Sequence, residues 1–223
     1  MRLMFCVMLL ITASHGVGQA ETSKIEADKA IEMQPVKGSI LANNLLEKQP
    51  YDIVLGDENA PVTMIEYFSL SCPHCADFQK NMFPQINENY IQSGKVKFIA
   101  RSYAVDEPSL LGSRLLKCVA TDKYYPFIKV LLSMQDKWAF APKPKDNLLV
   151  IAKVGGVSEE QFEACFKDKS NEELVLQMRK SAEDKLKIDA IPMFFINGAE
   201  VRGAGKVEDI IKILDEQVAK AKE

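Results

Sequence analysis

The stretch Phe68-Ser69-Leu70-Ser71-Cys72-Pro73-His74-Cys75-Ala76-Asp77-Phe78 decides how this chain is read. Val62 to Phe68 leads into it, a run rich in β-branched and aromatic residues that predicts a strand. After it, Phe78, Met82, Ile86 and Tyr90 recur every four residues with Phe83 beside them, which predicts a helix with one apolar face. Two cysteines separated by two residues therefore stand where a strand hands over to a helix. That position sets Cys72 at the positive end of the helix, beside backbone N–H groups that have no partner within it. A thiolate is stabilised there relative to a thiol, and the thiolate is the reactive species.

Two other readings of the motif compete with redox chemistry. Half a zinc site needs two further ligands at short spacing. Cys118 and Cys165 stand alone, and the other histidine, His15, lies in a segment read below as removed, so no metal is expected. A purely structural Cys72–Cys75 bridge closes too small a loop to stabilise much. Strand, motif and helix in this order favour a redox-active pair.

Composition narrows the function classes. The chain has 223 residues, 47% hydrophobic and 26% charged, with a formal net charge of −3. Such a chain builds a sizeable core, and without a basic cluster it offers no nucleic-acid surface. Met1-Arg2, the apolar run Leu3 to Ile11 and the small residues around Gly18-Gln19-Ala20 have the layout of a secretory signal, too short to span a bilayer. Residues 1–20 are therefore read as a cleaved signal peptide. Its loss takes Cys6 and His15, leaving four cysteines, an even number that suits an oxidising compartment, and His74 as the sole histidine.

Residues 21–50 are polar and mixed in charge, with a short helical possibility from Lys24 to Met33 ended by Pro35; they read as a flexible leader. Tyr51 to Leu55 suggests a first strand, and Val96 to Tyr103 a strand beyond the motif helix, inside which Pro84 should produce a kink. From Pro108 the pattern is helical for some seventy residues. Gly155-Gly156 ends one helix, Ser158 with Gln161 forms a capping box opening the next, and Asn171 is the candidate N-cap of a long last helix. Met193 to Ile196 and Glu200 to Arg202 flank the hairpin signal Asn197-Gly198-Ala199, and a closing amphipathic helix carries Ile210, Ile213 and Leu214.

Cys72-Pro73-His74-Cys75 resembles the active site of the DsbA family, bacterial periplasmic thiol oxidases of thioredoxin fold. Glu66-Tyr67-Phe68-Ser69 and Ile191-Pro192-Met193-Phe194-Phe195-Ile196-Asn197-Gly198 are similar to the family as well, and the likeness runs from about residue 51 to 220. It implies an α/β thioredoxin fold, residues 51–104 and 183–223, carrying an inserted all-helical domain, residues 105–182. It further implies oxidation of reduced, newly exported proteins in the periplasm by the Cys72–Cys75 disulfide, with no other cofactor, and reoxidation by a DsbB-like membrane protein linked to quinone. Pro73 and His74 complete the catalytic motif. Glu66, which interrupts an apolar strand, becomes a buried acid beneath the sulfurs; otherwise it lies on an exposed face or edge, and Lys97 is a candidate partner. Pro192 becomes a cis-proline facing the disulfide, with Ile191 offering backbone hydrogen bonds to an extended substrate. The ordinary alternative is a trans proline that starts a strand.

Residues 21–50 are too few for the separate dimerisation domain of DsbC-type isomerases, so a monomer is expected. Parity in the mature chain predicts a second disulfide, Cys118–Cys165, against two separate buried thiols. An isomerase or reductase of the same fold, or a chaperone-like protein that only keeps the fold, remain alternatives. The first calls for a lasting reduced state, and the second is disfavoured by the intact Cys72, His74 and Cys75.

Overall fold

The computed structural model describes residues 32–35, 44–202 and 205–222. The expected signal peptide, with Cys6 and His15, lies outside these residues. Six strands form one sheet in the order β1-β6-β5-β3-β4-β2. They are β1 (Glu32–Pro35), β2 (Val54–Leu55), β3 (Val62–Phe68), β4 (Val96–Ser102), β5 (Met193–Ile196) and β6 (Ala199–Arg202). β3 and β4 pair in parallel, with Val62 opposite Val96 and Phe68 opposite Ser102; the remaining pairs are antiparallel. β3 and β4 are buried almost throughout, as central strands covered on both faces require.

The helical run after the motif is α1 (Pro73–Asp77), a π-turn (Phe78–Met82), α2 (Phe83–Ile86) and a second π-turn (Asn87–Ile91). Pro84 falls in the first turn of α2, directly after the π-turn. The widened turn takes up the hydrogen bond that proline cannot donate, so the expected kink is resolved as a π-bulge. Next come α3 (Glu107–Leu116), α4 (Tyr124–Ser133), a 3-10 turn (Gln135–Lys137), α5 (Pro144–Val154), α6 (Glu159–Lys167), α7 (Lys169–Leu186) and, after β6, α8 (Val207–Lys220). Strand–helix–strand, a helical block, then strand–strand–helix is a thioredoxin fold with a helical insertion. The capping box Ser158/Gln161 opens α6. α7 starts earlier than expected: Asp168, not Asn171, caps it, because its carboxylate reaches the Ser170 N–H at 2.8 Å. The hairpin turn is the two residues Asn197 (φ 48°) and Gly198 (φ 82°), both left-handed, and Ala199 already belongs to the strand.

One core lies between the sheet, α1, α2, α8 and the insertion, and includes Phe68, Leu70, Phe78, Phe98, Trp138, Phe162, Phe194 and Leu214. A second core, on the other face, gathers Leu45, Leu46, Ile65, Tyr67, Ile99, Ala182, Leu186 and Phe195. α7 therefore continues past the expected insertion boundary at 182 and covers the sheet. Part of the segment read as a flexible leader is packed instead: β1 pairs with β6, Met33 opposite Val201, and Leu45 and Leu46 are buried. The expected Lys24–Met33 helix is replaced at Met33 by strand, and its remaining residues up to 31 lie outside those described. Arg101 uses all five of its N–H donors, four of them to hold residues 45–52 down. Nε and Nη2 bond Asp52 at 3.0 and 2.6 Å, Nη1 bonds the Tyr67 hydroxyl at 2.9 Å and the Leu45 carbonyl, and Nη2 bonds the Glu47 carbonyl at 2.6 Å. The contacts to residues 45–52 span some fifty positions, which local sequence pattern does not register.

Candidate active site

Cys72 is the N-cap of α1, with extended backbone (φ −81°, ψ 119°), and Pro73 occupies the first turn, where its missing N–H costs nothing. Cys72 is half-buried; Cys75, one turn on, is 0% exposed; both are free thiols. The turn before them closes through the Cys72 N–H to the Ser69 carbonyl at 3.1 Å, and the Ser69 N–H reaches Cys75 Sγ at 3.5 Å.

The two sulfurs are driven apart electrostatically. Cys72 is lowered to about 6, first by the hydrogen bond from the Cys75 thiol, against burial, then by the backbone N–H groups of Cys75 and His74, and least by the charge of His74. Cys75 is raised far beyond the ordinary thiol range, first by burial, then by the bond it gives to Cys72 and by Glu66 and Cys72 nearby. The arrangement is a half-buried thiolate and a fully buried thiol that keeps its proton.

Glu66 on β3 is 3% exposed, and its Oε1 has no hydrogen-bond partner. Burial first, and the Cys72 charge second, hold its carboxyl well above the usual range. Lys97 is not its partner: the register sets Glu66 opposite Ala100 and Lys97 opposite Thr63, and the Lys97 amine bonds the Glu58 carbonyl at 3.2 Å. Successive strand residues face opposite sides, so the two side chains diverge.

The Ile191–Pro192 bond is cis, and the Ile191 carbonyl oxygen lies 3.7 Å from Cys72 Sγ. Beside it opens a cleft of about 540 Å³ whose floor includes Phe78, Met82, Phe194 and Val201, with His74, Asp77 and Asp189 also lining it. Residues well over a hundred positions apart in the chain are thus brought to one sulfur: Glu66, the Cys72–Cys75 pair and the Ile191–Pro192 segment converge. Cys118 and Cys165 are elsewhere, joined as a disulfide with Cα atoms 6.0 Å apart that ties the end of α3 to α6. Arg114 braces that corner, paired with Glu172 at 2.7 Å and bonded to the Phe166 carbonyl at 2.8 Å. Among the described residues no group of three or more His, Cys, Asp or Glu side chains is placed to hold a metal ion.

Three contacts to the Ser69–Cys72 turn were not legible beforehand. Ser71 Oγ donates to Asp106 Oδ1 at 2.9 Å, and the Gln135 amide donates to the carbonyls of Leu70 at 2.8 Å and Cys72 at 3.0 Å. Asp106 had a local signal as a cap three residues before Ser109; Gln135, in Met134-Gln135-Asp136-Lys137, had none.

A family model described as Thioredoxin matches residues 48–216. A Rickettsia felis protein named as a protein-disulfide oxidoreductase is 29% identical over 209 residues, covering 92% of this chain and 73% of its own length. Its counterpart in Rickettsia typhi is 31% identical over 166 residues, covering 74% and 61%. The chain thus spans roughly two thirds of these relatives. Among solved structures, alpha-DsbA1 of Wolbachia pipientis is similar with a TM-score of 0.76 and 32% identity, over 81% of this chain and 97% of that one. BdbD of Bacillus subtilis shares the fold, with a TM-score of 0.69 and 21% identity over 84% and 99%.

Proposed function

Because the chain belongs to the thioredoxin-like protein-disulfide oxidoreductases of DsbA type, we propose that it works in the oxidising direction, passing its Cys72–Cys75 disulfide to reduced, newly exported proteins in the periplasm. The observation that carries this reading is the opposed tuning of the two sulfurs, Cys72 lowered to about 6 and Cys75 raised. A stabilised Cys72 thiolate favours the reduced enzyme, and a disulfide whose reduction yields a favoured state is a strong oxidant.

A substrate thiolate attacks Cys72 Sγ, the S–S bond breaks, and the electron pair leaves on Cys75, which takes up a proton. Glu66 is the acid proposed to supply and reclaim that proton, consistent with a carboxyl kept protonated by burial. A second substrate thiolate attacks its own half of the mixed disulfide and expels Cys72 as a low-pKa leaving group. The substrate loses two electrons and the enzyme gains them. In this reading the cis Ile191–Pro192 segment aligns an extended substrate strand, and Pro73 and His74 trim the thiolate. Reoxidation by a DsbB-like, quinone-linked membrane protein, action as a monomer, and a brace role for Cys118–Cys165 complete the proposal.

The test is the equilibrium of Cys72–Cys75 with glutathione together with unfolding of both redox forms. An oxidising potential is expected, with the reduced form more stable than the disulfide form. A Cys72 pKa below its unfolded value of 9.0 contributes stability that is fully present above 9 and lost as pH falls through about 6. The excess stability of the reduced form should therefore grow between those two values. A thioredoxin-like potential, or a disulfide form that is the more stable at neutral pH, would move the assignment to a reductase or isomerase.

A further inference from the structure

One side chain of the helical insertion spends its whole donor capacity on the active-site turn. Gln135 is only 7% exposed, and a carboxamide nitrogen carries two hydrogens. One goes to the Leu70 carbonyl at 2.8 Å and the other to the Cys72 carbonyl at 3.0 Å. The Leu70 carbonyl is the second of a turn closed by Cys72 N–H to Ser69 O, and that turn makes no other bond to it. The Cys72 carbonyl also accepts the Ala76 N–H at 3.1 Å, the first bond of the motif helix. Gln135 therefore bridges the first carbonyl of the turn's interior and the first carbonyl of the helix. Its own backbone is held in turn, the Phe140 N–H donating to the Gln135 carbonyl at 3.0 Å.

We infer that Gln135 is a positioning residue for thiol–disulfide exchange, fixing the Cys72 backbone so that the helix's first N–H groups point at its sulfur. The inference deepens the oxidoreductase reading and rests on it. The physical link is direct. The thiolate is stabilised by the N–H groups of His74 and Cys75 and by the Cys75 thiol, all of which lie on α1. Their aim depends on the extended Cys72 backbone that starts that helix. Without Gln135 the Leu70 carbonyl would be left without a donor and the Cys72 carbonyl would keep only the Ala76 N–H, so both would turn toward any other donor, rotating the peptide planes on either side of Ser71 and Cys72. With one donor in place of two, the Cys72 carbonyl also presents a fuller negative end close to its own sulfur, which disfavours the thiolate. Gln135 touches neither sulfur, so its action is through the backbone.

The experiment compares Gln135→Met, which keeps the length and removes both donors, with Phe162→Leu, which weakens the same insertion in α6, where Phe162 packs on Phe166. For each, the Cys72 thiolate is titrated by absorbance, the glutathione equilibrium is measured near pH ~8, and Tm is recorded. Gln135→Met should raise the Cys72 midpoint by about one unit and shift the glutathione equilibrium close to tenfold toward the oxidised enzyme, the two moving together. Phe162→Leu should lower Tm and leave the midpoint where it was. A Gln135→Met midpoint that is unchanged, or that moves no more than in Phe162→Leu, overturns the inference. Should Gln135→Met not fold, Gln135→Asn keeps the amide but reaches only one carbonyl; about half the shift is expected, and no shift overturns it. A wild-type potential that is not oxidising would refute the oxidase reading alone, since the inference is read from the difference between variants.

Discussion

At the scale of the residue, the site is one low sulfur above one high acid. The charge of His74 is the smallest of the influences holding Cys72 down, after the Cys75 thiol and two backbone N–H groups. His74→Ala should therefore raise the Cys72 midpoint by less than about one unit, and the glutathione equilibrium should follow with under ~30 mV of change. Thiolate absorbance against pH, read beside the potential of the same variant, checks it; a midpoint that moves without the potential would break the link between them. Glu66 has a folded pKa raised above its ordinary 4.5, so it opposes folding once the unfolded chain ionises. Glu66→Gln should stabilise by on the order of 1–2 kcal/mol at pH 7. The gain should vanish below pH 4.5, where the carboxyl is protonated in both states. Denaturant unfolding at the two pH values measures this directly, and an equal gain at both would point to packing instead of charge.

At the scale of the element, the insertion and the turn meet at Gly112 in α3. A Cβ built there would lie 2.7 Å from Leu70 Cδ1 and 2.8 Å from Trp138 Cη2, both on fully buried side chains. Alanine is the better helix former by about 1 kcal/mol. The overlap should win, because neither neighbour can move into a close-packed core: Gly112→Ala is expected to destabilise by about 1–3 kcal/mol. Thermal unfolding decides between them, and a raised Tm would mean that propensity outweighs contact here. The same packing explains why Asp106 and Gln135 can reach the turn at all.

At the scale of the whole molecule, the segment around residues 45–52 is fastened to the sheet by the Arg101–Asp52 pair, both side chains 1% exposed. Removing one partner strands the other as a buried charge, so Asp52→Ala should cost about 3–5 kcal/mol. Replacing both with apolar residues of similar volume, as in Arg101→Met with Asp52→Leu, should recover much of that loss. Chemical denaturation of the two single variants and the double variant forms the cycle. Additive losses would show that the pair is not coupled.

The local signals reached far into this protein. The strand before Cys72, the helix after it, the capping box at Ser158 and the Asn197-Gly198 turn all stand where the sequence indicates, because propensity and capping act over a few residues. The Cys72–Cys75 pair was legible for the same reason: its chemistry follows from a strand-to-helix junction that eleven consecutive residues define. What the sequence left open were the long-range contacts. Glu66 opposite Ala100 and not beside Lys97, Arg101 holding Asp52, β1 paired to β6 and Gln135 donating to Cys72 depend on strand register and chain return. Each side of such a contact satisfies its local pattern equally well elsewhere, and only burial of the whole core, which leaves no water to serve a carbonyl or a charge, selects the partner it has.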